Sequence, residues 1–286
     1  MNTVRRKLTL CADDFAQSEQ ISSGILELIA SRRLTATSVM SQAPYWPTAA
    51  RRLMPLQRLA DVGLHLNLTH AFPMGNVTRP LFYWLLCSQL RLVSRAWLCK
   101  QFCEQIDLFQ QHFGRLPDFI DGHQHLHAFP VLRAALTDAI AATWPQNHPL
   151  PWLRAPEHAM DGGDSPFKAV ILRWSCRGFA RHAQEHGLRV APYFGGVYSL
   201  QTAADFPRQM RHWLQSAADG TLLMCHPGRP AVDHTDPICD ARALEFHYLG
   251  SPEFADDCRN ANIELTRFDN TKSELSGPVR FGDVRQ

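Results

Sequence analysis

At 286 residues, 45% hydrophobic and 20% charged, the chain has the apolar content of an ordinary globular protein and length for one α/β barrel or two smaller domains. A formal net charge of +2, with no basic block or aromatic-interleaved basic stripe, is too close to balance to imply a nucleic-acid partner, and none is expected. The longest apolar run, LFYWLLC at 81–87, is far below the roughly 20 residues of a membrane span, and the opening MNTVRRKLTLCADD is not a signal peptide, so a cytoplasmic protein is expected.

In chain order, KLTLCA at 7–12 reads as a short buried strand. A helix follows, with Ile21, Ile25, Leu28 and Ile29 on its apolar face and Ser18 as its N-cap. ATSVMS at 36–41, DVGLHLNL at 61–68 and PDFIDGH at 117–123 are the next strand candidates. Pro130 suits the first position of the helix after the last of these. WLRAP, RVAPYF and TLLMCHP supply further short strands, with helical stretches such as SPFKAVILRWSCRGFARHAQEHG between them. The alternation predicts parallel strands joined by crossover helices. With no internal repeat, low-complexity tract or linker, one domain over 1–286 is expected. The eight cysteines form no C-x-x-C pair, which speaks against a zinc ribbon or thioredoxin-type site and for reduced thiols.

The polar residues fall at strand ends. Asp13 and Asp14 follow the first strand, His65 lies in the third, Asp121 and His123 close the fourth, and His226 closes a late one. In parallel α/β folds the carboxyl ends of the strands share one face, where active sites form. Convergence from early and late strands favours a barrel over an open sheet. The expected fold is therefore α/β, a TIM-like (β/α) barrel that is distorted or has fewer than eight regular strands.

Each motif alone has a bland reading. Asp13-Asp14 suits a helix N-terminus, His65 a satisfied core histidine, and CHPG a turn. DGHQHLH at 121–127 is stronger, because His-x-His spacing on an extended segment presents two imidazoles on one side. Together, one early-strand aspartate and two later histidines make a three-ligand site with open positions, the layout of a catalytic metal. The second aspartate stays free as a base.

In this order the motifs resemble the YdjC-like family of carbohydrate deacetylases. The blocks that carry the resemblance are CADDFAQSEQISSGILELIASRRLTATSVM, VGLHLNLT, DFIDGHQHLHAFP, LRAPEH and LLMCHPG, from about residue 7 to 230. The resemblance implies a TIM-like barrel, one divalent metal ion (Mg or Zn) and removal of an N-acetyl group from an N-acetylglucosamine-type amino sugar. It implies Asp14, His65 and His123 as metal ligands, Asp13 as base, a protonated His226 as general acid and Arg154 as the residue that orients the base. Asp121, His125 and His127 are expected around His123. Cys11 and Ala16 stand where the family usually has Asn and Gly, which bears on the loop geometry at Asp13-Asp14.

The segment 79–103, RPLFYWLLCSQLRLVSRAWLCKQFC, is aromatic and aliphatic with interspersed arginines. It reads either as a pair of core-packing helices or as an apolar substrate lobe with Phe82, Trp84, Leu85, Leu86 and Trp97 toward cleft or solvent. The second reading, with a resemblance to a hopanoid-associated subset of the family, implies a lipid-linked sugar and a peripheral membrane contact. A soluble chitooligosaccharide is the alternative substrate, and a homodimer is compatible with either. Two rivals come from other classes: an Fe(II) oxygenase using two histidines and a carboxylate, which favours a β scaffold, and a non-catalytic metal-stabilised sugar-binding protein.

Overall fold

The computed structural model describes residues 4–73, 77–201, 204–230 and 236–268; the two ends of the expected 1–286 domain lie outside these. Eight strands among the described residues join in one parallel sheet. They are β1 (Arg6–Phe15), β2 (Ala36–Val39), β3 (Asp61–Leu66), β4 (Phe119–Gly122), β5 (Trp152–Leu153), β6 (Tyr193–Gly195), β7 (Thr221–Cys225) and β8 (Ile263–Leu265). The helices are α1 (Glu19–Ala30), α2 (Trp46–Leu53), α3 (Leu81–Gln89), α4 (Arg95–Phe113), α5 (Pro130–Thr143), α6 (Pro166–Ser175), α7 (Phe179–Glu185), α8 (Phe206–Ser216), α9 (Cys239–Gly250) and α10 (Pro252–Asn260).

The sheet order β5-β4-β3-β2-β1-β7-β6 is chain order bent round on itself. Its two edges meet through the parallel bridges Leu153–Val190 and Ala159–Phe194. The expected distorted TIM-like barrel is thus present, with seven staves. The last strand, β8, does not fill an eighth place between β7 and β1; it pairs with Arg6–Leu8 at the start of β1. The segment after it crosses the amino-terminal end, where Phe268 stacks on Trp152 with ring centroids 4.3 Å apart.

Strand alternation sorts the side chains into an outer and an inner set. Leu8, Leu10, Leu64, Leu66, Leu223 and Cys225 face the helices and belong to the main core. Cys11, Ala36, Phe119, Trp152, Phe194 and Met224 fill the barrel interior. The interior is narrow: a Cβ on Gly63 would lie 2.4 Å from the Phe119 ring, so only glycine fits there. Two residues further along six of the seven staves, the inward positions are polar: Asp13, Ser38, His65, Asp121, Arg154 and His226, with Gly196 at that place after β6. An apolar layer below a polar layer is how this barrel prepares a site at its carboxyl end.

Local signals behaved as the sequence predicts at several points. Ser18 caps α1, its hydroxyl accepting the Ile21 N–H at 3.2 Å, and Pro130 opens α5. Elsewhere the structure differs. The stretch 165–187 is two helices, broken at Gly178, which takes φ +80°. β4 ends at Gly122, and His123–Ala128 is a 3₁₀ segment with Gln124 and His125 at φ +53° and +61°. His-x-His alternation on an extended chain therefore does not apply to His125. In 79–103, Phe82 and Leu86 are exposed as expected, but Trp84 is buried, its indole N–H donating to the Leu68 carbonyl at 2.8 Å. Trp97 is half-buried and stacks on it at 6.3 Å. The indole dipole has its partner inside, which is why Trp84 belongs to the core.

Candidate active site

The site begins with a backbone irregularity. Adjacent residues of a regular strand point in opposite directions, yet Asp13 and Asp14 both reach the carboxyl end of the barrel. The β1–β2 register shifts between Ala12 and Phe15, and Asp14 takes φ +66°. This bulge turns the second carboxylate to the same side as the first.

Asp14, His65 and His123 converge. Asp14 Oδ1 lies 3.0 Å from His123 Nδ1 and 3.4 Å from His65 Nε2. One donor atom from each residue falls within 4.8 Å of the others. His65 is oriented from behind: its Nδ1 is 2.7 Å from Asp121 Oδ1 and 3.0 Å from Ser38 Oγ. Its Nε2 is buried and, apart from Asp14 at 3.4 Å, meets no hydrogen-bonding atom among the described residues. A buried imidazole nitrogen with its opposite edge held by a carboxylate is the usual setting of a metal ligand. Burial would lower the His65 pKa, but Asp121, Asp13 and Asp14 raise it to about 10, a measure of surplus negative charge at this spot. The donor set and its charge therefore fit a divalent cation.

Asp13 sits beside this cluster in a different setting. Arg154, fully buried, donates to both its oxygens at 2.6 and 2.5 Å, and Ser38 Oγ adds a third contact at 3.3 Å. Burial pushes the Asp13 carboxyl up, but the Arg154 guanidinium, with His65 and His226, holds it below the ordinary carboxylate range. The same guanidinium lies 2.6 Å from Asp121 Oδ2, so one arginine ties the free aspartate to the one that orients His65. His226 Nε2 is 3.9 Å from Asp13 Oδ2. Burial lowers its pKa to about 4 despite Asp13 and Asp14. Burial thus works against the imidazolium expected for His226, while the two carboxylates favour it.

The neighbouring histidines separate. His125 lines the cavity and meets the Phe194 ring edge-on at 5.4 Å. His127 points away, its Nε2 2.9 Å from the Arg154 carbonyl, and acts on the backbone of the residue after β5. Three participants were not singled out from sequence. Arg242 on α9 lies 2.7 Å from Asp14 Oδ2 and 2.5 Å from Asp236. Glu245, one turn later, accepts the His226 N–H at 2.5 Å and the Tyr198 hydroxyl; burial pushes it up to about 7. His70, the residue after VGLHLNLT, lines the cavity beside His123. Only the i,i+3 spacing of Arg242 and Glu245 hinted at a shared helix face.

Above these groups opens a cavity of ≈ 420 Å³. Its floor holds Asp13, Asp14, His65, His123 and His226, and its walls carry Leu81, Leu85, Phe129, Leu172, Leu200 and Ile238.

Residues 7–260 match the model of the YdjC-like protein family. The chain belongs to the YdjC-like family. The carbohydrate deacetylase of Homo sapiens is 24% identical over 316 residues, covering 97% of this chain and 94% of that protein. The chitooligosaccharide deacetylase of Serratia marcescens is 24% identical over 257 residues, covering 87% and 92%. A solved structure from Enterococcus faecalis V583, described as a candidate cellobiose-phosphate cleavage protein, superposes with a TM-score of 0.70 at 18% identity over 93% of this chain and 98% of that one. That likeness is one of fold.

Proposed function

We propose that the chain, as one domain over 1–286, is a metal-dependent carbohydrate N-deacetylase that hydrolyses the acetamide of an N-acetylglucosamine-type sugar. The observation that carries this is the pairing of two adjacent aspartates with separate tasks. Asp14 joins His65 and His123 in a donor set, while Asp13 stays outside it under the control of Arg154. A non-catalytic site has no use for the second carboxylate. The curated relatives in the family carry deacetylase names, and an α/β barrel speaks against the oxygenase reading.

Asp14, His65 and His123 would hold a divalent ion, Mg or Zn, which when bound supplies Lewis acidity at the acetamide oxygen and toward water. The chain's own groups then divide the proton work. Asp13, whose carboxylate form the Arg154 guanidinium favours, accepts the proton of the attacking water. Arg154 fixes the plane of that carboxylate and keeps it from collapsing onto the donor cluster. His226, with Nε2 3.9 Å from Asp13 Oδ2, passes the proton that Asp13 has accepted to the nitrogen as the C–N bond breaks. Acetate and the free amine leave.

For the substrate, the apolar walls beside the reacting groups favour an amino sugar carrying a lipid or other apolar group over a bare chitooligosaccharide. All eight cysteines are free thiols, which supports a reducing, cytoplasmic setting. The test is acetate release from soluble and lipid-linked N-acetylglucosamine conjugates with Zn, Mg, Mn and Co and with a chelator. Chelator-sensitive release supports the reading. Metal binding without release from any conjugate would move the protein to the sugar-binding class.

A further inference from the structure

Two helices at the cavity mouth present apolar side chains to solvent. On α6, Phe167, Val170, Ile171 and Trp174 follow i, i+3, i+4, i+7 spacing, a pattern that normally marks a core-facing stripe. Here it faces outward, with Phe167 72% and Trp174 63% exposed. On α3 and the turn after it, Phe82, Leu86, Leu90 and Leu92 do the same, Phe82 at 72% and Leu92 at 69%. The two helices are neighbours: the Gln89 side-chain amide donates to the Ser175 carbonyl at 3.2 Å. Both also line the cavity, through Leu81 and Leu85 on α3 and Ile171 and Leu172 on α6. The exposed apolar surface is thus continuous with the walls of the site, and a patch of this kind marks a binding surface.

Charge says what it binds. No aspartate or glutamate occurs from 62 to 103 or from 165 to 184. Arg79, Arg91, Lys168 and Arg177 are exposed in or beside the two helices. Arg91 stands between Leu90 and Leu92, and Arg177 follows the end of α6 where it meets Gln89. The nearest acids, Asp161 and Asp164 just before α6, are engaged by Arg173 and by Ser199. Apolar and aromatic side chains edged by these four cations match the boundary between acyl chains and anionic headgroups. A second copy of the chain fits less well, because a two-fold contact would bring the same four cations from both copies together, and the nearest acids, Asp161 and Asp164, already serve Arg173 and Ser199.

We infer that α3 and α6 together dock the protein on an anionic lipid bilayer, with the mouth of the cavity against the membrane. Docking stands independently of the deacetylase reading; only its use, delivering the polar head of a membrane-borne sugar to Asp13 and Asp14, rests on that reading.

The experiment is co-sedimentation of the full chain with vesicles of phosphatidylcholine alone and of phosphatidylcholine with phosphatidylglycerol, at low and high salt. Binding to the anionic vesicles, weakened by salt, is expected. F82S/L86S/F167S/W174S changes only exposed side chains that lie outside the cavity. It should bind on the order of tenfold more weakly or less, and R91E/R177E should lose the preference for phosphatidylglycerol. Acetate release from a short soluble conjugate should be unchanged in both variants. Wild-type protein that stays in the supernatant overturns the inference, as does equal binding by the quadruple serine variant. A wild-type dimer that the serine substitutions convert to monomer would give the face to a second copy instead. Vesicle binding without deacetylation of any conjugate would leave docking intact and remove the enzymatic reading.

Discussion

Asp121→Asn tests the logic of the site at constant side-chain volume. The two oxygens of Asp121 have different neighbours: Oδ1 holds His65 Nδ1 at 2.7 Å, and Oδ2 lies 2.6 Å from an Arg154 nitrogen. In the variant the amide oxygen must face the guanidinium, because an NH₂ there would set donor against donor. The NH₂ then faces His65 Nδ1, which has to accept, and the ring proton moves to Nε2. That is the nitrogen 3.4 Å from Asp14, and a protonated Nε2 has no lone pair for a cation. Loss of such an orienting carboxylate lowers metal affinity roughly 10- to 100-fold, about 1.4 to 2.7 kcal/mol. Competition against a chromogenic chelator measures the affinity, and the ¹⁵N shifts of His65 report its tautomer. Unchanged affinity, or a His65 that keeps its proton on Nδ1, would refute the argument.

Other substitutions separate the remaining roles. His123→Ala should lose both metal and turnover; full metal occupancy in that variant would remove His123 from the donor set. Asp13→Asn should keep the metal and lose roughly 10²- to 10⁴-fold in turnover; near wild-type turnover would show that the base lies elsewhere. Gly63→Ala forces a methyl onto the Phe119 ring and should cost about 1–3 kcal/mol in denaturant unfolding. Burial lowers the His127 pKa to about 4, so its contribution to stability is full above its unfolded value of about 6.5 and is lost as pH falls through about 4. His127→Gln should flatten the stability profile in that window, by at most about 3 kcal/mol; an unaltered profile would place the acid sensitivity in another group.

Much of the barrel was legible because its strands are short apolar runs ending in polar residues. TLLMC before His226 and DVGLHL around His65 announce both the strand and the end that carries chemistry. The single polar layer follows from alternation once the strands are placed. What was not legible arises from contacts distant in sequence. Arg242 and Glu245 gain meaning only when α9 packs over the β1 end. The α6 stripe has the spacing of a buried face, and only tertiary packing decides that it points outward. Trp84 belongs to the core because the Leu68 carbonyl needs its N–H, a pairing invisible in LFYWLLC.

The bulge at Asp14 shows how local strain and distant support combine. Asp14 and Ala16 both have positive φ, at +66° and +75°, and each non-glycine residue in that region costs about 1–2 kcal/mol. Glycine would take such a φ without this cost, so the chain forms the turn without the residue that eases it. The turn is held from α1 instead: the Ala16 N–H donates to Ser22 Oγ at 3.0 Å, and the Ser22 hydroxyl donates to the Ser18 carbonyl at 2.7 Å. The first turn of α1 thus fixes the backbone that sets Asp14 beside His65 and His123. Strain of this kind persists only where its surroundings over-determine it. The position of the metal-facing carboxylate is therefore a property of the β1–α1 junction as a whole, rather than of the Asp-Asp dipeptide.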